Sequence, residues 1–201
     1  MIKTIVFDMG GVLLLNDIDL VYKKLAENLK VDPKLLLDLI KQNRRKFMSG
    51  EYSAEGFAQL IKNNFELENN VAEIINKWRE SFEQLMGLNE ELFNLIVMLR
   101  QNYKIAMLTD APQLHSIVNK KKGLYESFHP CIISCEVGLV KPEKEIYELM
   151  LKELKHKPSE CLFVDDNKAN IETAKNIGFH TILFKDNEQF LGELKKLKIE
   201  F

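Results

Sequence analysis

Hydrophobic and polar positions follow two different rhythms along this chain. Between Ile18 and Met86 the apolar residues recur at helical spacing: Leu20, Val21, Leu25 and Leu29, then Leu36, Leu39 and Ile40. Phe57, Leu60 and Ile61 continue it, followed by Val71, Ile74, Ile75, Trp78 and Phe82. Asp32 before Pro33 reads as an N-cap with proline at the first helical position, and Ser53 offers another cap. This block predicts four helices and no strand, with Phe47, Phe57, Trp78 and Phe82 as bundle core.

Outside that block, short apolar runs alternate with helical patterns. Ile5-Val6-Phe7, Lys104–Leu108, Cys131–Ser134, Cys161–Val164 and His180–Phe184 read as strands. Leu92–Leu99, the segment after Pro112, and the run Ile146, Tyr147, Met150, Leu151 and Leu154 after Pro142 read as helices. Another helix starts at an Asn167 cap and stops at Gly178, and a last one carries Leu191, Leu194 and Leu197. Strands alternating with helices predict an α/β fold, a parallel sheet covered on both faces. The first strand belongs to this sheet, so the helical block is an insert. The expected domains are a Rossmann-like core from residues 1–15 and 88–201 and a helical insert from 16–87.

Composition narrows the function without naming it. With 46% hydrophobic and 29% charged residues, the 201-residue chain has the make-up of an ordinary globular protein. A formal net charge of -2 argues against non-specific binding to nucleic acid or anionic membrane. Arg44-Arg45-Lys46 and Lys120-Lys121-Lys122 are read as solvated helix faces, although Arg44 or Arg45 is within conceivable reach of a substrate anion. The three cysteines lack metal-site spacing and predict buried thiols in a reducing compartment. With no signal-like or spanning segment in view, the expected location is cytoplasmic. The four histidines show no ligand spacing and receive no chemical role.

The chemistry lies where strands end. Asp8 follows the first strand and is followed at once by Gly10 and Gly11. Thr109 and Asp110 close the second, Asp165-Asp166 the fourth, and Gly138-Leu139-Val140-Lys141-Pro142 brings a lysine after the third. In an open parallel sheet these strand ends share the edge where ligands bind. A carboxylate nucleophile, a hydroxyl, a fixed cation and metal-binding acids are what phosphoryl transfer to an enzyme carboxylate requires. Asp110 also has a plainer reading as a cap of the helix near Pro112, and Asn167 already offers a cap beside Asp165 and Asp166.

With these residues in place the chain resembles the haloacid dehalogenase (HAD) superfamily of hydrolases over essentially its full length. The resemblance implies a three-layer αβα Rossmannoid sheet with an inserted four-helix, C1-type cap. It matches Asp8 to the nucleophile, Thr109 to the hydroxyl that binds the transferring phosphoryl group, and Lys141 to the charge-stabilising lysine. It also implies Mg²⁺ held by Asp8, the main-chain carbonyl of Gly10, and Asp166, with Asp165 as a ligand or its support. Thr109, Asp110, Lys141 and, near the junction with the insert, Asn16 are the expected substrate contacts.

Gly10 departs from the pattern. Many phosphatases of this superfamily have a second aspartate there, a general acid and base typically worth about 10²–10⁴-fold in rate. The Asp-x-Gly-x-Val form resembles the α-glucose-1-phosphate phosphatase-like branch, which implies a Mg²⁺-dependent phosphatase of a small, sugar phosphate-like monoester working through an aspartyl-phosphate. The expected partner is a small phosphorylated metabolite, with no nucleic acid or membrane, and the expected state is a monomer or weak homodimer. Two alternatives stand beside it: a catalytically impaired binding protein, and a 2-haloacid dehalogenase-type hydrolase, against which the paired Asp165-Asp166 counts.

Overall fold

The structure is a computed structural model that describes residues 1–15 and 18–200. The chain enters through β1 (Thr4–Phe7), fully buried, and then builds α1 (Ile18–Leu29), α2 (Pro33–Gln42), α3 (Arg44–Met48), α4 (Ala54–Asn64) and α5 (Val71–Leu85). Local chemistry sets these starts. The Asp32 carboxylate accepts hydrogen bonds from the Lys34 and Leu35 amides, Ser53 Oγ from the Gly56 amide, and Asn70 and Glu73 form a reciprocal capping box.

The insert therefore has five helical segments where periodicity predicts four. The addition is α3, under two turns long, with Phe47 as its buried residue. A segment that short carries no repeating stripe to read. Asn43 separates it from α2 by turning its amide and its side-chain Nδ2 back onto the last carbonyls of that helix. The five helices share a core of their own in which Phe47, Phe57 and Trp78 are packed ring on ring, and Leu114 from outside the block joins it.

The rest of the chain is α6 (Glu90–Leu99), β2 (Lys104–Thr109), α7 (Gln113–Lys121), β3 (Cys131–Ile133), α8 (Ser134–Val137), α9 (Lys144–Leu154), β4 (Cys161–Asp165), α10 (Lys168–Ile177), β5 (His180–Leu183) and α11 (Asn187–Lys196). The strands pair in parallel in the order β3-β2-β1-β4-β5. Phe7 pairs with Met107 on one side and Val164 on the other, so the carboxyl ends of β1, β2 and β4 lie side by side. Alternation of side chains divides the core. Ile5 and Phe7 pack with Leu92, Ile96 and Phe190, whereas Val6 and Phe163 pack with Ile146, Tyr147 and Met150. These are the two helix-covered faces of a three-layer α/β fold.

The helical insert is fastened over one end of the sheet. The Ala54 amide donates to Gln113 Oε1 at 2.8 Å, Ser134 Oγ donates to the Met48 carbonyl at 2.7 Å, and Arg45 pairs with Glu143 at 2.9 Å. Among the described residues no helix is long and apolar enough to cross a membrane.

Candidate active site

Asp8 is the first residue past β1, and its amide donates to the Val164 carbonyl. Its Oδ1 accepts from the Met9 amide at 2.7 Å and faces Lys141 Nζ at 2.9 Å. One carboxylate oxygen is thus held, and the other is left for an incoming group. Lys141 is 1% exposed, and its Nζ also meets Asp165 Oδ2 at 2.7 Å. Asp165 is saturated: the Asn167 amide donates to Oδ1 at 2.8 Å, and Asn170 Nδ2 reaches both oxygens at 3.0 Å. Asp166 is exposed, and Gly11, at φ +72°, leaves room for its carboxylate where a Cβ would overlap it. Carboxylate oxygens of Asp8, Asp165 and Asp166 come within 4.8 Å of one another.

The second strand end adds two residues. Thr109, 2% exposed, and Asp110 both line a cavity of about 460 Å³ that also holds Asp8, Lys141 and Asp166. Asp110 is not a helix cap: α7 starts at Pro112 without a side-chain cap. Its Oδ1 instead accepts from the Lys141 amide at 3.0 Å, fixing the backbone of the lysine loop. Its Oδ2 lies 3.6 Å from Arg44 Nη2 on α3, so the insert contributes a cation to the cavity wall. Asn16, expected to contact substrate, lies outside the described residues, as does Asp17.

Five strand-end or loop positions legible in the sequence, Asp8, Thr109, Asp110, Lys141 and Asp166, therefore converge on one cavity, with Asp165 directly behind them. Residues 2–178 match the haloacid dehalogenase-like hydrolases. The chain belongs to that hydrolase family.

Several relatives sharpen the placement. D-ribitol-5-phosphate phosphatase of Bacteroides thetaiotaomicron is 28% identical over 206 residues, an alignment covering 96% of this chain and 97% of that enzyme. Bifunctional epoxide hydrolase 2 of Sus scrofa is 26% identical over 219 residues, covering 98% of this chain but 39% of that protein. The chain thus spans well under two thirds of the length of the bifunctional epoxide hydrolases it matches. Among solved structures, a HAD-like hydrolase from Porphyromonas gingivalis superposes with a TM-score of 0.84 at 25% identity, over 100% of both chains. A Bacteroides thetaiotaomicron HAD enzyme solved with magnesium and inorganic phosphate superposes at 0.77 with 21% identity, over 94% of this chain and 99% of that one.

The electrostatics of this HAD-like site are unbalanced in a telling way. Burial lifts the Asp8 carboxyl to about 7, while Lys141 draws it down and Asp165 pushes it up again. Burial would lower Lys141, but the carboxylates of Asp8, Asp165 and Asp110 outweigh it and keep the ammonium charged. With its three carboxylates ionised against one ammonium, as at pH above the raised Asp8 value, the cluster carries an excess of negative charge. An all-oxygen donor set with that excess fits a hard divalent cation such as Mg²⁺. Because both Asp165 oxygens are already hydrogen-bonded, Asp8 and Asp166 are the side chains free to coordinate, and Asp165 is better described as holding Lys141 in place.

Two side chains near the reacting groups, Asn170 and His115, receive no role from the sequence, and a third, Arg44, is read there chiefly as solvated with a substrate anion as the alternative. Asn170, in the first turn of α10, locks Asp165; its spacing five residues on from that acid was the available signal. Arg44, read as solvated, lines the cavity. His115 lines it too, 4% exposed, with Trp78 Nε1 donating to its Nε2 at 3.0 Å and its ring stacked on Phe82 at 3.7 Å. Burial holds His115 down at about 3, so it is neutral at ordinary pH and cannot serve as the missing acid. Its place in the first turn after the Thr109 strand end was the clue.

Proposed function

We propose that this chain is a Mg²⁺-dependent phosphatase that hydrolyses a small phosphate monoester through an aspartyl-phosphate on Asp8. The observation that carries the reading is the division of labour within one carboxylate: Oδ1 is held by Lys141 and the Met9 amide, and the second oxygen is free within a cavity lined by Asp166, Thr109 and Lys141. That oxygen attacks phosphorus in line, the ester oxygen leaves, and water then cleaves the acyl phosphate. Lys141 and the Thr109 hydroxyl stabilise charge on the transferring group. Asp8, Asp166 and the Gly10 carbonyl would hold Mg²⁺, which when bound supplies positive charge for the phosphate oxygens. Residues 16–87 act as a cap that excludes bulk water, over a catalytic core of 1–15 and 88–201. The ribitol-phosphate phosphatase, similar to this chain along nearly its whole length, supports this reading. The same reading has the protein acting in the cytoplasm as a monomer or weak homodimer, with no nucleic-acid or membrane partner.

Gly10 favours a slow version of this chemistry, because position 10 offers no carboxyl to protonate the leaving oxygen. A purely binding role is the second reading that this residue supports. A dehalogenase role is disfavoured, because displacement of halide from carbon has no use for the Asp166 carboxylate next to Asp8. A panel of phosphate monoesters and 2-haloacids, assayed with and without Mg²⁺, separates the three. Mg²⁺-dependent release of phosphate that Asp8→Asn removes supports the proposal; activity on haloacids alone, or on nothing, contradicts it.

A further inference from the structure

Between Glu91 and Arg100, α6 reads Leu-Phe-Asn-Leu-Ile-Val-Met-Leu, with Asn94 its one polar residue. A helix laid on a sheet needs an apolar inner stripe and a polar outer side, and one that is apolar all round is ordinarily covered all round. The inner side of α6 is accounted for, because Leu92, Leu95, Ile96 and Leu99 are buried in the sheet core. The outer side is not. Val97 and Met98 stand next to each other there, 51% and 47% exposed. Beside them a groove of about 370 Å³ runs between α6 and α11, walled by Leu92, Leu95, Met98 and Leu191. It shares no lining residue with the active-site cavity.

Charge along this face has a direction. The two helices run parallel: Asn187 Nδ2 donates to Asn89 Oδ1 and Glu91 Oε2 at their amino ends, and the Glu200 amide donates to Tyr103 Oη beyond their carboxyl ends. Their first turns carry Glu90, Glu91 and Glu188, and their last turns and exits carry Arg100, Lys195, Lys196 and Lys198. The face is therefore acidic at one end, apolar in the middle and basic at the other. We infer that it binds a second copy of this chain, with the two α6 helices antiparallel about a two-fold axis. That pairing lays each acidic end over the partner's basic end and opposes the two helix dipoles. It also brings the two Val97-Met98 pairs and their grooves together, where burial of apolar surface drives contact. A partner of uniform charge would meet like charge at one end. The inference gives the homodimer named above its surface, and it does not depend on the phosphatase chemistry. One helix face about 15 Å long, with its flanking groove, is a small interface, so the expected Kd lies between about 1 µM and 1 mM.

The test is analytical ultracentrifugation of the whole chain across that concentration range, at low and high salt. A monomer–dimer equilibrium should appear and weaken as salt screens the charged ends. Val97→Glu and Met98→Glu, at exposed positions that tolerate polarity, should each raise Kd about tenfold or more by placing like charges across the two-fold axis. Leu35→Glu and Ile117→Glu, exposed apolar positions on other helices, should leave Kd unchanged. Glu188→Lys and Lys195→Glu should each weaken self-association about two- to fivefold, and an equimolar mixture of the two variants should associate more tightly than either alone. Thermal unfolding checks that each variant keeps its fold. A chain that stays monomeric up to about 1 mM, or a dimer indifferent to Val97→Glu and Met98→Glu in folded variants, would overturn the inference. A mixture no tighter than its parts would overturn the antiparallel pairing. Sedimentation reads association without turnover, so each of these results leaves the phosphatase reading standing.

Discussion

The two walls of the cavity are built on opposite terms. On the sheet side the charged groups hold one another: Lys141 bridges Asp8 and Asp165, Asn170 and the Asn167 amide complete Asp165, and Asp110 Oδ1 accepts from the Lys141 amide, while Asp110 Oδ2 has no hydrogen-bond partner. On the insert side the contacts are mostly apolar, from Val21, Phe82 and Met86, and Arg44 is the charged exception, 3.6 Å from Asp110. A buried charge cluster is stable only when each member is satisfied, so the sheet side has little freedom to vary. The insert side is constrained only by volume and polarity. On the phosphatase reading proposed above, the sheet edge would fix what reaction is done, and the insert would bear on which substrate enters.

The largest effect should come from the sheet side. Asp8→Asn removes the nucleophile while keeping the shape of the Met9 turn, and phosphate release should fall to background; retained activity in a phosphate-release assay would mean that the reaction does not pass through Asp8. Gly10→Asp tests the same side in the opposite direction. Nothing lies within 4 Å of a Cβ built at Gly10, and its backbone needs no positive φ, so a carboxyl can be added without displacing a neighbour. If general acid–base help is what this site lacks, kcat should rise by about 10²–10⁴-fold. An unchanged kcat would place the slow step elsewhere.

Lys141→Met breaks the charge cluster and leaves two buried carboxylates facing each other. It should cost about 3–5 kcal/mol in urea unfolding, the range for a buried ion pair that loses one partner. Mg²⁺ should restore part of that loss by binding the folded form.

The packing of α7 against the insert predicts smaller changes. His115 is held at about 3 in the fold against an ordinary 6.5, so below pH 6.5 the unfolded chain takes up a proton that the folded chain refuses. Stability should therefore fall as pH drops from 6.5 toward 3, at up to about 1.4 kcal/mol per pH unit from this group. His115→Gln, which can still accept from Trp78, should remove that part of the slope between pH 6.5 and 5. Equal slopes in the two proteins would show that His115 takes up its proton as readily in the fold as in the unfolded chain. The smallest effect is Asn70→Ala, which loses the capping box of α5 and should cost about 1 kcal/mol without altering Mg²⁺ affinity.

The same contrast explains what was legible in the sequence. Strand ends and caps are local, so Asp8, Thr109, Asp165-Asp166 and the caps at Asp32, Ser53 and Asn167 could be located from neighbours a few residues away, and the structure has them there. The parallel sheet followed from strands alternating with helices. His115 is not legible, and Arg44 only as an alternative to a solvated face, because their places depend on packing between segments distant in sequence: α3 against the Asp110 strand end, and α7 against Trp78 and Phe82. Asp110 was misread as a cap for the same reason, since its true partner, the Lys141 amide, is 31 residues away. The apolar half of the cavity was also out of reach, because Phe82 looked like bundle core until the insert was seen folded over the sheet.

The central claim is that Asp8 takes the phosphoryl group. Acid-quenched single turnovers in ¹⁸O-enriched water, followed by peptide mass spectrometry, test it most directly. The account predicts a transient phosphoryl mass on the peptide containing Asp8, with the heavy oxygen ending in inorganic phosphate. Hydrolysis with no modified peptide at any quench time would contradict it.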